Sequence, residues 1–127
     1  MKNYIYRISS LILLFLILQN FIILKTFAWK YYDDYESSIS WQKEKAHLHS
    51  FASFLQNHPE TIGYIAYYTK KEEFLKQRKI KINRAIKFLT QKSQIEKDRI
   101  IIIYAGKKDY STTILQPIHK NSEPPRF

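Results

Sequence analysis

The amino-acid sequence predicts an α+β domain in which helices pack on one face of a small mixed sheet, preceded by an N-terminal apolar helix. Three observations lead to this prediction. A charge-free apolar run occupies 11–18, apolar residues at helical spacing begin at residue 41, and β-branched and aromatic runs at 61–68 and 99–104 have the length of strands. After the apolar run, the predicted order is helix, strand, helix, strand, strand.

Composition limits the classes of protein to which the chain can belong. With 127 residues, 45% of them hydrophobic and 16% aromatic, the chain has room for one packed domain of ordinary size. The absence of cysteine excludes disulfides, thiolate metal sites and cysteine nucleophiles. The net charge of +10 favours anionic binding partners. A general bias of the composition towards Ile, Lys, Asn and Tyr would also explain the excess of lysine.

The first 28 residues have the features of a targeting segment. Lys2 and Arg7 precede the apolar run, and residues 1–28 contain no acidic residue. If Thr26-Phe27-Ala28 is a cleavage site, the segment is a signal peptide. If it is not cleaved, the segment is a signal anchor that places the rest of the chain outside the cytoplasm. We therefore expect an exported protein, periplasmic or otherwise extracytoplasmic, and in the second case anchored in the inner membrane.

Residues 40–119 are predicted to form the domain, after a linker at 29–39 with room for a short strand and before a flexible tail at 120–127. Ser40 has a side chain suited to the N-cap of a helix, and apolar residues follow it at helical spacing. Asn57-His58-Pro59 contains the signals that end such a helix.

The strand at 61–68 is followed by Thr69-Lys-Lys-Glu72, a capping-box pattern that predicts the start of a second helix. We expect this helix to run to about Lys92 with one buried face. The apolar run from Arg99 to Tyr104 is predicted to be a central strand, and Tyr110 to Ile118 a last, alternating strand.

Four local motifs occur in an order that is found in one protein family. The first motif is Leu48-x-x-Phe-Ala-x-x-Leu55-x-Asn57-x-Pro59, and the second is Ile62-Gly-Tyr-Ile65. The third is Arg84-Ala85-x-x-x-Phe88-Leu89, and the fourth is Ile95-x-x-x-Arg99-Ile100. Together they resemble the OmpA-like C-terminal domain, a peptidoglycan-associating module of bacterial envelopes. The resemblance covers Leu48 to Ile118, and it is closest to a divergent branch of exported OmpA-like proteins.

This resemblance implies an OmpA-like two-layer sandwich and a site for a peptidoglycan stem peptide. In the family, an Asp in a Gly-His-Thr-Asp loop and the Arg of Arg-Ala clamp the charged ends of diaminopimelate. Arg84 matches that arginine, but the loop here reads Ala66-Tyr-Tyr-Thr-Lys-Lys71, which leaves Glu72 or Glu73 to replace the Asp. The candidate ligand-binding residues are therefore Arg84, Thr69, Lys70, Lys71, Glu72 and Glu73.

No catalytic constellation is recognisable, and we do not predict an enzyme. His47 and His49 would lie about 200° apart on a helix, which prevents them from sharing a metal ion. Glu72 and Glu73 fall in the first turn of the predicted helix, where favourable interaction with the helix dipole explains them. No cofactor is predicted.

Two hypotheses about function follow. The first is a non-enzymatic cell-envelope protein that associates with peptidoglycan or another anionic envelope polymer through the basic face near Arg84, where Lys70 to Lys87 holds eight basic residues. The second is a single-pass membrane-anchored accessory subunit of a larger membrane protein complex. Nucleic acid is disfavoured as a partner, because the targeting segment removes the domain from the cytoplasm.

Overall fold

The computed structural model describes residues 11–16, 32–70 and 75–127, and the chain divides into two compact units, Met1–Lys30 and Tyr31–Phe127. In the first unit, residues 11–16 are helical and each of their six apolar side chains is at least 50% exposed. No helix in the described parts of the chain is long and apolar enough to cross a membrane. The rest of the predicted targeting segment at 1–28 lies outside the described residues.

The described part of the second unit contains a four-stranded mixed sheet, two α-helices, a π turn and a short 3₁₀ helix at Lys97–Arg99, which confirms the predicted α+β class. The strands lie in the order β1-β4-β2-β3, with β2 parallel to β3 and β4 antiparallel to both of its neighbours. In chain order the elements are β1 (Asp33–Glu36), α1 (Trp41–Asn57), β2 (Thr61–Lys70), α2 (Leu75–Lys87), β3 (Ile100–Lys108) and β4 (Thr112–His119).

Helix α1 begins and ends where its sequence signals predict. The hydroxyl of Ser40 accepts a hydrogen bond from the backbone N–H of Lys43 at 3.4 Å, which satisfies one of the free donors of the first turn. At the other end, the backbone N–H of His58 donates to the carbonyl of Phe54 at 3.0 Å. The imidazole of His58 also stacks on the Phe54 ring at 4.1 Å between centroids, so the end of the helix is held by backbone and side chain together.

The hydrophobic core lies between the helices and one face of the sheet. Helix α1 contributes the largest buried side chains, and Gly63 on β2 allows α1 to approach the sheet closely, because a Cβ there would lie 2.8 Å from side-chain carbons of both Leu55 and Phe51. The fully buried apolar side chains of the core are Leu48, Phe51, Leu55, Ile65, Ala85, Leu89 and Leu115.

Arg99 joins three segments at one end of the core. Its guanidinium donates to the backbone carbonyls of Leu55 at 2.8 Å, His58 at 3.0 Å and Thr61 at 3.0 Å. These carbonyls belong to the end of α1, the turn after it and the start of β2, so one side chain fixes α1 to the sheet where β3 begins.

The second helical segment runs to Lys92, as predicted, but its last five residues form a π turn. Helix α2 is followed by Phe88–Lys92 with π-type hydrogen bonding, and then by Gln94, which adopts a left-handed conformation with φ of 56°. The N–H of Ile95 donates to the carbonyl of Leu89 at 2.9 Å, six residues back, and so satisfies one of the last carbonyls of the helix.

Two predictions about the strands are wrong, and a third is refined. The run from Arg99 to Tyr104 is not a central strand: β3 is an edge strand, because β4 takes the other side of β2. Thr69 does not cap a helix, because β2 continues to Lys70 and Thr69 pairs with Lys107 of β3. Within the predicted linker at 29–39, β1 pairs with β4 and so belongs to the sheet.

Candidate anion-binding groove

One face of α1 and the π turn after α2 enclose a groove of about 580 Å³. Residues of α1 at intervals of three and four line one wall, as the helical repeat requires. The other wall comes from the π turn and the residue after it. The lining residues are Gln42, Lys45, Ala46, His49, Ala52, Ser53, Gln56, Phe88, Lys92 and Ser93.

A second hollow of about 320 Å³ adjoins the first and shares Phe88 and Lys92 with it. We refer to the two hollows together as the basic groove. Lysine and arginine supply all of its formally charged residues, and no Asp or Glu occurs among the residues that line it in the described part of the chain. The second hollow is lined by Trp41, Arg84, Lys87, Phe88, Gln91 and Lys92.

Contacts between α1 and the π turn hold the groove in shape. The side-chain amide of Gln56 donates to the carbonyl of Ser93 at 2.6 Å. Near the other end of α1, the rings of Trp41 and Phe88 meet edge to face, 5.9 Å apart between centroids. These two contacts lie at opposite ends of the groove and fix the distance between α1 and the π turn. Lys45 on α1 and Lys92 on the π turn are therefore held on opposite walls.

Arg84 lies at the border between the groove and the core. Its guanidinium donates to the carboxylate of Glu44 on α1 at 2.6 Å, and it lies 4.2 Å from the centroid of the Trp41 ring. The Glu44 side chain is only 5% exposed, whereas that of Arg84 is 36% exposed. The arginine therefore neutralises a buried carboxylate and keeps part of its surface towards the groove.

Tyr67, on β2, lies close enough to this ion pair to respond to both charges. Burial raises the pKa of its phenol above the ordinary value, the Glu44 carboxylate raises it further, and the Arg84 guanidinium opposes the shift. Neither the Tyr67 hydroxyl nor Nε of Arg84 has a hydrogen-bond partner among the described residues. Glu44 is thus buried beside a buried phenol, and Arg84 supplies its compensating charge.

Of the three predicted site residues that the structure describes, one lies at the groove, namely Arg84. Thr69 is buried in β2, where its hydroxyl lies 3.3 Å from the hydroxyl of Tyr104. Lys70 is exposed at the end of β2, and its backbone N–H donates to the hydroxyl of Ser111 at 3.0 Å. Lys71, Glu72 and Glu73 lie outside the described residues.

The two neighbouring histidines have different surroundings. Nδ1 of His47 lies 2.6 Å from the carboxylate of Asp33, and the imidazole stacks on Tyr35 of β1 at 4.5 Å, whereas His49 lines the groove. His47 thereby ties α1 to the edge strand β1. Within the ranges that the structure describes, no group of three His, Asp or Glu side chains is placed to hold a metal ion.

The sequence pattern did not predict that Glu44 pairs with Arg84, or that Lys45 and Lys92 lie on opposite walls of one groove. The spacing of Trp41 and Glu44, three residues apart in the first turn and a half of α1, does place them on one helix face. That spacing identifies a face, but it does not indicate which other helix covers it.

The described lining of the groove combines lysine and arginine side chains with amide side chains and the rings of Trp41 and Phe88, and it contains no carboxylate. Such a lining is suited to binding an anion. In comparisons with known proteins, the chain matches no protein-family model, and no curated protein matches it.

Proposed function

We propose that the unit Tyr31–Phe127 is a non-enzymatic binding domain that associates with an anionic polymer of the cell envelope, with peptidoglycan as the first candidate, through the basic groove. The observation that carries this proposal is the lining of the groove. Lys45, Lys87 and Lys92 flank the apolar surface of Phe88, and no acidic side chain lies among the described lining residues. The motifs shared with OmpA-like domains support the choice of peptidoglycan.

The three lysines would bind carboxylates of a stem peptide, or phosphates of another polymer, as separate point charges. The ring of Phe88 would contact the apolar face of a sugar or a side chain. This mode differs from the clamp that the family resemblance implies, because the guanidinium of Arg84 already donates to Glu44. Arg84 would add to the positive potential of the groove while it holds α1 and α2 together.

We also propose that the protein is exported and acts outside the cytoplasm, either as a periplasmic protein or anchored in the inner membrane. The positively charged start and the apolar run at 11–18 support this location. Peptidoglycan and other anionic envelope polymers lie in that compartment, so the proposed location and the proposed ligand agree.

The test is sedimentation of the full chain, purified in mild detergent, with insoluble peptidoglycan. A groove variant replaces Lys45, Lys87 and Lys92 with Gln. A matched control variant makes the same change at Lys76, Lys79 and Lys97, which are exposed and do not line the groove.

We expect the groove variant to bind about tenfold more weakly, since three solvent-exposed charge pairs at about 0.5 kcal/mol each sum to that factor. The control variant should bind within about twofold of the natural chain, and added salt should weaken binding in all three. Equal losses in the groove and control variants would contradict a specific site and indicate attraction by net charge alone.

A second candidate function is a single-pass accessory subunit of a membrane protein complex. The observation that favours it is that the six apolar side chains at 11–16 are exposed all around their helix, as lipid-facing residues are. Mass spectrometry of the chain from membrane and soluble envelope fractions tests it. A chain that retains Met1 in the membrane fraction supports an anchored subunit, and a soluble chain that begins at Trp29 refutes it.

A further inference from the structure

The basic groove is elongated along helix α1. The α1 residues that line its larger hollow recur at intervals of three and four from Gln42 to Gln56, so they form one stripe along most of the helix. At the usual rise per residue this stripe is roughly 21 Å long. A groove of this length suits a segment of a linear polymer better than it suits a single small anion.

Neutral polar side chains outnumber cations along the described lining. Five lining residues carry an amide or a hydroxyl and four carry a positive charge, of which Arg84 is already paired with Glu44. Amides and hydroxyls both donate and accept hydrogen bonds, as sugar hydroxyls do. A polymer with a charge on every unit and no hydroxyl would make little use of these neutral groups. They belong to Gln42, Ser53, Gln56, Gln91 and Ser93.

Two aromatic rings lie among these polar groups. Phe88 lines both hollows and Trp41 lines the smaller one, where the two rings meet edge to face. A sugar ring has apolar C–H faces and carries its hydroxyls around the rim. A sugar that rests on an aromatic side chain therefore turns its hydroxyls towards flanking amides, and this combination of apolar surface and a few placed polar groups is typical of ligand sites.

We propose that the basic groove binds a linear glycan whose sugar rings carry or adjoin carboxylates. This inference rests on the proposed function and narrows it, because the sugar chain itself, and not its charge alone, becomes the recognised feature. A sugar ring would lie against Phe88, and Gln42 and Gln91 would hydrogen-bond its hydroxyls. Lys45 and Lys92, on opposite walls, would pair with carboxylates on either side of the chain.

Two sources present this chemistry. A polymer of uronic acids carries its carboxylate on the sugar ring, whereas peptidoglycan carries carboxylates on the stem peptides attached to its sugars. Both place an apolar ring face, hydroxyls and a carboxylate close together. The two adjoining hollows share Phe88 and Lys92, so they would hold successive units of one chain.

Calorimetric titration of the full chain in mild detergent tests the inference with two polymers of equal length, polygalacturonate and polyglutamate. Both carry one carboxylate per unit, but only the first has sugar rings. We expect polygalacturonate to bind at least about tenfold more tightly, because only its hydroxyls reach the amides of the groove. Peptidoglycan fragments released by muramidase then distinguish the sources, since tighter binding than to polygalacturonate identifies the cell-wall glycan and weaker binding an acidic polysaccharide.

A variant that keeps every charge separates recognition of the sugar from attraction of charge. Gln42→Ala with Gln91→Ala removes two amides from the groove and leaves its lysines in place. Both positions are exposed in helical segments, where alanine is well tolerated, so the fold should persist. We expect this variant to bind polygalacturonate about tenfold more weakly and polyglutamate as the natural chain does. The matched control Gln77→Ala, exposed on α2 and outside the groove lining, should change neither.

Equal binding of the two polymers by the natural chain would overturn the inference. So would full retention of polygalacturonate binding by the variant that lacks the two amides. Either result would leave the proposed association with an anionic polymer in place, because sedimentation of the groove variant with peptidoglycan decides that association separately. A natural chain that binds neither soluble polymer, and does not sediment with peptidoglycan, would overturn both.

Discussion

The guanidinium of Arg84 donates a 2.6 Å hydrogen bond to the carboxylate of Glu44, and this ion pair joins the two helices at the border between the core and the groove. The residues are separated by forty positions in the chain. Because Glu44 is almost fully buried, the pair is asymmetric: the carboxylate depends on the arginine more than the arginine depends on the carboxylate. The same arginine reaches the basic groove, so it combines a structural role with a place at the proposed site.

We predict that Arg84→Met lowers the free energy of unfolding by about 3 kcal/mol, because it leaves the Glu44 carboxylate buried without its counter-charge. Urea unfolding measures the change. In the double variant Arg84→Met with Glu44→Leu, most of the loss should be recovered, since apolar side chains often replace a buried ion pair at little cost.

Arg78→Met is the matched control for that substitution. Arg78 lies on the same helix, 4.6 Å from the Tyr104 ring, and its loss should cost no more than about 1 kcal/mol. If both arginine variants lose the same stability, then the Glu44 pair has no special importance. Because Arg84→Met is expected to destabilise the fold, a loss of ligand binding in that variant would not identify the site. The binding test therefore uses Lys45, Lys87 and Lys92.

Tyr67 provides a prediction about pH. In the unfolded chain its phenol has a pKa of about 10, and burial with the nearby Glu44 carboxylate raises the pKa in the folded state. Above pH 10 the unfolded chain loses this proton first, so unfolding becomes more favourable as pH rises, by up to about 1.4 kcal/mol per pH unit. Below pH 10 both states keep the proton, and this effect is absent.

The Tyr67→Phe variant isolates that effect. Urea unfolding at pH 8 and at pH 11 should show a smaller loss of stability for the variant than for the natural chain. At pH 8 the variant should be as stable as the natural chain or up to about 1 kcal/mol more stable, because the phenol hydroxyl lacks a partner among the described residues. An unchanged dependence on pH would show that another group is responsible; Tyr35, whose pKa burial also raises, is the next to test.

Gly63 is expected to be required by packing. Gly63→Ala places a Cβ 2.8 Å from side chains of both Phe51 and Leu55, and the overpacking should cost about 2 kcal/mol. Gly63→Val should cost more, because the clash grows with the side chain. Strand propensity alone predicts the reverse order, with Val more stable than Ala. Thermal denaturation of the two variants therefore separates the two explanations.

Gln94 is expected to be less suitable than glycine at its position. Its left-handed backbone, with φ of 56°, is strained for a residue with a Cβ, and glycine is the usual residue at this point after a helix. We expect Gln94→Gly to raise the free energy of unfolding by about 0.5 kcal/mol or more. The matched control Gln91→Gly, inside the π turn, should lower it by about 1 kcal/mol. Equal losses in both variants would show that the φ of Gln94 brings no penalty.

Local patterns in the sequence predicted the elements well. The capping side chain of Ser40, the helical spacing of apolar residues after it and the exit at His58-Pro59 were enough to place α1, because each signal acts within a few residues. The strand runs were recognisable from β-branched and aromatic residues. Thr69 misled the prediction, because Thr-Lys-Lys-Glu is compatible with a helix cap, whereas pairing of Thr69 with Lys107 of β3 extends the strand.

The candidate site was less predictable than the fold. Arg84 was recognised through its motif, but its partner Glu44 and the facing lysines Lys45 and Lys92 were not, since their proximity depends on how α1 packs beside the π turn. A local pattern shows which face of a helix is apolar, yet several arrangements of the second helix would bury that face equally well.

The sequence by itself determined the α+β class, the positions of α1 and the main strands, the basic character of the chain and the charge pattern of its first 28 residues. Only the tertiary structure decided that β3 lies at the edge of the sheet, that Glu44 neutralises Arg84 and that a groove forms beside Phe88. Element identity depends on interactions over a few residues, whereas strand order and helix partners depend on which distant surfaces bury the most apolar area together.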